Sequence, residues 1–160
     1  DDRNTHYLAR EYFFNGRLEE SEKMFVRHLL LKNSTWGSER AESCRYLYKI
    51  TKDPYWLNKG IEEAPGRREP RVDLAKHYYE TQEWWPCLQS ALSALDITER
   101  PLEYLTDAQA WGALPHDLAA ISAYQLRLYS ESIYHGDKAV QIDPNDERLR
   151  NNLKFYLEAR

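Results

Sequence analysis

The stretch 68–95 permits few folds. Pro70 suits the first turn of a helix, where its missing N–H would have had no partner anyway. Leu74, Ala75, Tyr78 and Tyr79 then recur at three- and four-residue steps, which places them on one helical face. The polar run 80–83 breaks the pattern. A second stripe follows through Trp84, Cys87, Leu88, Ala91, Leu92, Ala94 and Leu95. The small residues Ala75, Ala91 and Ala94 let two helices approach closely enough to interlock. Such a hairpin cannot cover both of its faces, so it needs neighbours.

The rest of the chain supplies them. Residues 4–14 carry Tyr7, Leu8, Tyr12 and Phe13 on a helical stripe, and Asn15 with Gly16 stops it, the glycine as a left-handed cap. A partner helix over 18–31 runs through Leu18, Met24, Phe25, His28, Leu29 and Leu31. Ser38 can cap a third helix to about residue 51, with Ala41, Cys44, Leu47 and Tyr48 inward. Asp53 and Pro54 restart the chain as N-cap and first helical residue of a short fourth helix over 55–63. After the central hairpin, the insertion 97–114 lacks periodicity and reads as a short helix on a loop or an irregular surface segment. Pro115 opens another helix through Leu118, Ala119, Ile121, Ser122 and Tyr124, paired with 129–142. Leu149, Leu153, Phe155, Tyr156 and Leu157 mark a terminal capping helix over 146–159. Nothing reads as a strand. The expected fold is all-α, one domain over 1–160, with helix-pair units at about 3–33, 38–65, 68–98 and 115–144.

Composition narrows function. With 22 basic and 26 acidic residues the net charge is −4, which disfavours a uniform nucleic-acid surface. No apolar run is long enough to span a bilayer, and no signal peptide opens the chain. Cys44 and Cys87 show no CxxC spacing and read as small buried residues of a reducing compartment, so a cytoplasmic location is expected. The first residue is Asp rather than Met, which points to a piece of a longer protein. The five histidines, His6, His28, His77, His116 and His135, have neither HExxH nor paired metal spacing, and no cofactor is expected.

Helix pairs recurring at roughly 34 residues resemble tetratricopeptide repeats. In the first unit Leu8, Ala9, Tyr12, Gly16, Leu18, Ser21 and Phe25 match that pattern. Leu74, Ala75, Tyr78, Trp84, Cys87 and Ala94 match it in the central unit, and Ala120, Tyr129, Ser132, Ala139 and Pro144 in the last. The second unit is degenerate: Cys44, Tyr48, Leu57, Ile61 and Ala64 fit, while Arg45 stands where a small residue belongs. Uneven spacing makes this an irregular TPR-like α-α solenoid of about four helix pairs plus the capping helix. The segment 38–156, above all GRREP and WGALPHDLAA, resembles the tetratricopeptide region attached to family 2 glycosyltransferases of bacteria and their phages. This chain has no Asp-x-Asp motif, glycine-rich phosphate loop or βα alternation, so any transferase activity implied by the resemblance belongs to a domain outside these residues.

In such repeats the first helix of each pair lines a concave face. The resemblance therefore implies ligand-binding positions at His6, Arg10, Phe13, Tyr46, Lys49, Lys76, Tyr79, Asp117 and Tyr124. Aromatic rings among Arg and Lys suit an acidic or aromatic-containing peptide. His6 and Arg10 stand where the carboxylate clamp of chaperone-binding repeats holds Lys and Asn, so that clamp is not matched. Arg67, Arg68 and Glu69 enter the central helix, where a guanidinium could pair with Glu62 or Glu63, or an anion could bind. The expected function is a protein-interaction scaffold, part of or partner to a glycosyltransferase domain in cis. It takes a protein or peptide ligand, no membrane partner and no catalysis of its own. The alternative is direct binding of a carbohydrate or nucleotide-sugar acceptor by the aromatic and Arg residues.

Overall fold

The computed structural model describes residues 1–159 and is all-helical among them, with no strand. Its helices are α1 (Asp2–Phe14), α2 (Leu18–Leu30), α3 (Gly37–Thr51), α4 (Tyr55–Glu63), α5 (Glu69–Glu80), α6 (Trp84–Leu95), α7 (Leu114–Gln125), α8 (Tyr129–Ile142) and α9 (Glu147–Glu158). A 3-10 turn, Ala108–Trp111, interrupts the otherwise irregular segment before α7. Two units divide the chain. Asp1–Gly66 holds α1 to α4, and the second unit, starting at Arg67, holds the rest. Within the first, α1 packs on α2, α2 on α3 and α3 on α4; within the second, α5 packs on α6, α6 on α7, α7 on α8 and α8 on α9.

Each of the four hairpins turns in three residues, and three of the turns share one backbone. Gly16, Gln82 and Arg127, each the middle residue, take φ of 76°, 58° and 61°. The next N–H reaches back five residues, from Arg17 to the Tyr12 carbonyl, Glu83 to Tyr78 and Leu128 to Ala123, at 2.9, 2.8 and 2.8 Å. These bonds satisfy carbonyls that a helix end would leave bare. Only the first turn has the glycine such a φ favours. Gln82 and Arg127 hold it at a cost of roughly 1 kcal/mol each.

Side-chain register follows from the turn. Seven residues before the left-handed position stand Ala9, Ala75 and Ala120; five after it stand Ser21, Cys87 and Ser132; twelve after it stand His28, Ala94 and Ala139. All nine are buried. The α3–α4 turn differs. Lys52 is its left-handed residue, donating to the Tyr48 carbonyl at 2.7 Å, and the Asp53 carboxylate then accepts from the Tyr55 N–H.

Unit 1 is built on an aromatic core. Phe25 lies flat on Tyr46, ring centroids 4.9 Å apart, beside Ala9 and Leu47. The inward face of α1 is not the one its hydrophobic stripe suggests. His6 and Ala9 are buried, while Tyr7 and Leu8 are about two-fifths exposed, at 40% and 42%. Arg40 ties the unit together by donating to both oxygens of Glu63 at 2.7 and 3.0 Å and to the carbonyls of Leu29 and Ser34. Gly37 opens α3, ahead of the cap expected at Ser38, and a Cβ there would collide with the Glu63 carbonyl.

Unit 2 has a core of small and aliphatic residues: Val72, Ala75, Cys87, Leu88, Ala91, Ala94, Leu118, Ala119 and Ala123. Gly136 of α8 lies against the Tyr156 ring, so close that a Cβ would sit 2.9 Å from it. On α9, Leu149 and Tyr156 face inward, whereas Phe155 and Leu157 of the expected stripe are exposed. Of the adjacent tryptophans, Trp85 is 55% exposed and Trp84 packs on Tyr79.

Both cysteines are free and buried. Burial pushes the Cys44 thiol up to about 12 and the Cys87 thiol up to about 11. Thiolate is the reactive form. Native protein at neutral pH is therefore expected to take up less than one equivalent of iodoacetamide in the time that urea-unfolded protein takes up two, counted by mass spectrometry; prompt native labelling of both would contradict the burial.

Candidate functional site

Unit 2 contains a cavity of about 330 Å³ walled by α5, the 3-10 turn, α7 and the start of α9. Lys76, Gln109, Ala113, Leu114, Asp117, Asp143, Asp146, Arg148 and Leu149 line it. Arg148 grips Asp117 with two N–H groups at 2.7 and 3.4 Å, which also holds its guanidinium above its ordinary range. Asp146 is the N-cap of α9, its carboxylate accepting from the Leu149 N–H at 3.2 Å. Lys76 makes no hydrogen bond or ion pair with any described residue, so its ammonium is free to meet a ligand. The volume lies at the low end for ligand pockets. Its lining offers charged groups of both signs around an apolar floor of Ala113, Leu114 and Leu149.

The wall carrying Gln109 is held by the Arg67, Arg68, Glu69 motif. Arg67 donates to Glu103 at 2.6 Å and to the Leu105 carbonyl, and lies 3.5 Å from Glu69. Arg68 donates to the carbonyls of Ile97 and Ala110 at 2.8 and 3.2 Å, and its guanidinium lies 4.2 Å from the centre of the Trp111 ring. Glu69, fully buried, accepts from the Asp107 N–H and from Trp111 Nε1–H at 3.2 and 3.3 Å. These residues secure the insertion rather than pairing with Glu62 or Glu63. Arg40 and Lys59 engage Glu63 instead, and Lys59 also lies 3.9 Å from Glu62.

The expected ligand-binding residues fall in both units. In unit 1 the structure gathers His6, Phe13, Tyr46 and Lys49: Phe13 and His6 meet Tyr46 edge-on at 5.1 and 6.4 Å, and Lys49 lies over it at 4.7 Å. His6 and Tyr46 are core residues there, and neither offers a surface to a ligand. Arg10, half-buried, stands between the Tyr7 and Phe14 rings. In unit 2, Lys76 and Asp117 share the cavity, Tyr79 packs on Trp84, and Tyr124 lies among Tyr129, Phe155 and Tyr156. Arg148, Asp143, Asp146 and Gln109 were not anticipated. The apolar pattern marks α9 only as a capping helix, although an Arg two residues after an N-cap Asp lies where a neighbouring helix can be reached.

A second polar cluster was not anticipated either. His6 Nδ1 lies 2.8 Å from Ser43 Oγ, which lies 2.8 Å from His28 Nδ1, while His28 Nε2 is 3.1 Å from Glu39 Oε1. Hydroxyl, imidazole and carboxylate in series is the arrangement of an activated nucleophile. Here Ser43 is sealed from solvent in the middle of a helix, where backbone N–H groups are engaged by the helix itself and none is left to hold an oxyanion. Its spacing was visible in part: Glu39 and Ser43 are one helical turn apart on α3. Among the described residues no group of three or more His, Cys, Asp or Glu could hold a metal, and no helix is long and apolar enough to cross a membrane. No protein-family model matches the chain, and no curated protein matches it significantly.

Replacing Glu69 by alanine strands two N–H donors and removes one of the two carboxylates beside the buried Arg67 guanidinium. The expected loss is about 2–4 kcal/mol of stability in urea, together with faster chymotryptic cleavage after Tyr104 in the freed insertion. Unchanged stability and digestion would show that the motif is not the anchor.

Proposed function

We propose that the chain is a helical-repeat scaffold of the tetratricopeptide kind, irregular in spacing, which binds a protein or peptide. One observation carries this reading. The α1–α2, α5–α6 and α7–α8 hairpins share a turn geometry and bury small residues, or His28, at the same distances from it. A repeat unit is defined by such equivalence. Stacking is how units that cannot bury both faces alone become stable.

The binding face on this reading belongs to the first helices of the pairs. In unit 2 these are α5 and α7, which bring Lys76 and Asp117 to one cavity beside Arg148. A free ammonium next to an apolar floor suits an acidic side chain followed by an apolar one. Catalysis within the chain is not part of this reading. A family 2 glycosyltransferase domain in cis remains the context proposed from the sequence resemblance, and two unpaired thiols favour a cytoplasmic setting.

The test is a paired screen of the purified chain against an acidic and aromatic peptide array and a glycan array. Peptide capture is expected, with Lys76→Glu weakening the best acidic peptide at least about tenfold, or ~1.4 kcal/mol. Glycan capture without any peptide binding would overturn the reading in favour of a carbohydrate-binding module.

A further inference from the structure

The line of polar side chains inside unit 1 joins three helices: His6 comes from α1, His28 from α2, and Ser43 and Glu39 from α3. None of the four is more than 1% exposed. Ser34 adds a hydroxyl 3.0 Å from His28 Nε2. Both ends of the line are bare, since His6 Nε2 and Glu39 Oε2 are buried without a partner.

The hydroxyl of Ser43 has one proton and lies between two ring nitrogens, so it donates to one and accepts from the other. With Glu39 ionised, His28 Nε2–H donates to the carboxylate, Ser43 donates to His28 Nδ1, and His6 Nδ1–H donates to Ser43. With Glu39 protonated, the direction along the line reverses. Each imidazole carries a single proton in both cases. Two imidazolium rings cannot share the line, because both would aim an N–H at Ser43 and leave its own proton no acceptor.

We propose that this line is a proton-operated latch, which holds α1 against α2 and α3 while both rings are neutral and releases α1 when both are protonated. The surrounding charges favour the neutral pair. Arg10 of α1 and His28 face His6, while Arg40 of α3, itself held by Glu63 of α4, faces His28. Asp2 of α1 opposes that effect at His28, and Asp2 and Arg3 both act on Glu39. The remaining neighbours of His6 are the Tyr7, Phe25 and Tyr46 rings.

Burial, with the charges of His28 and Arg10, holds His6 down at about 3. Burial and then Arg40 lower His28 as well. Once α1 leaves, the His6 ring returns to an ordinary value near 6.5, and His28, which loses the His6 ring beside it, moves in the same direction. The closed state then binds fewer protons than the open one. Holding strength is full above about pH 6.5 and falls as pH drops below it, by up to about tenfold in the opening equilibrium per pH unit through His6, with His28 adding in the same direction. Glu39, raised by burial and Asp2, acts in the opposite sense and offsets part of that fall.

Hydrogen exchange of the whole chain, corrected for intrinsic rates, tests this between about pH 7.5 and about pH 5.5. Protection of α1 is expected to fall about tenfold from about pH 7.5 to about pH 5.5 while α5 and α6 change less than about threefold. Ser43→Ala should loosen α1 already at neutral pH and flatten its pH dependence. Should that variant not fold, the wild-type histidine NMR titration decides. Ring protons of His6 and His28 titrating near 6.5 with α1 still protected would overturn the latch, as would α1 protection that follows α5 and α6 at every pH.

Discussion

Close approach between consecutive helices is the constraint on which the rest of this structure rests. Side chains no larger than a cysteine occupy the contact line of each hairpin: Ala9 and Ser21, Ala41, Cys44 and Gly60, Ala75, Cys87 and Ala91, then Ala120, Ser132 and Gly136. At the first of these lines the Ser21 hydroxyl donates to the Ala9 carbonyl at 2.8 Å, a backbone contact that a larger residue at either position would prevent. Small side chains bury little apolar area each. What they permit is contact between the larger groups flanking them.

The two units use that contact differently. In unit 1 it brings together the Phe25 and Tyr46 rings and, beside them, a polar line that runs from His6 to Glu39. Deep polar groups cost stability unless partnered, so this core is specific but sensitive to its protonation state. In unit 2 the apolar cluster is nearly all aliphatic, and the buried polar groups lie apart from it. There the Arg67, Arg68, Glu69 motif fastens an irregular segment, and the Asp117–Arg148 pair joins α7 to α9. The cavity with Lys76 lies where those two devices meet, since Gln109 belongs to the fastened segment and Asp117 to the pair.

Helix positions were legible because three of the four three-residue turns are polar and each hairpin carries a three-four apolar rhythm; the fourth turn, 126–128, is marked only by Arg127. The turn conformation was legible at Gly16 alone. Gln82 and Arg127 adopt the same backbone without the glycine that announces it, so their equivalence emerges only from φ and the hydrogen bonds. Apolar periodicity misplaced the inward face of α1, since it scores Tyr7 and Leu8 above His6. A histidine becomes a core residue when partners wait for it, and Ser43 lies 37 positions away. Arg67 with Glu103 is a similar case, 36 positions apart. The binding residues were read from a repeat register, which found Lys76 and Asp117. It could not find Arg148, which reaches the cavity from the capping helix, or Asp143, which reaches it from the end of α8.

Substitution at the contact line tests the central constraint most directly. Ala91 is fully buried on α6, and Leu92 beside it is 38% exposed. In urea unfolding followed by far-ultraviolet circular dichroism, Ala91→Leu is expected to lose about 1–3 kcal/mol, because the added methylenes have no space between the helices. Leu92→Ala should stay within about 0.5–1 kcal/mol of the native protein. An Ala91→Leu variant as stable as the native chain, or more stable, would contradict the claim that small residues set the spacing of these helices.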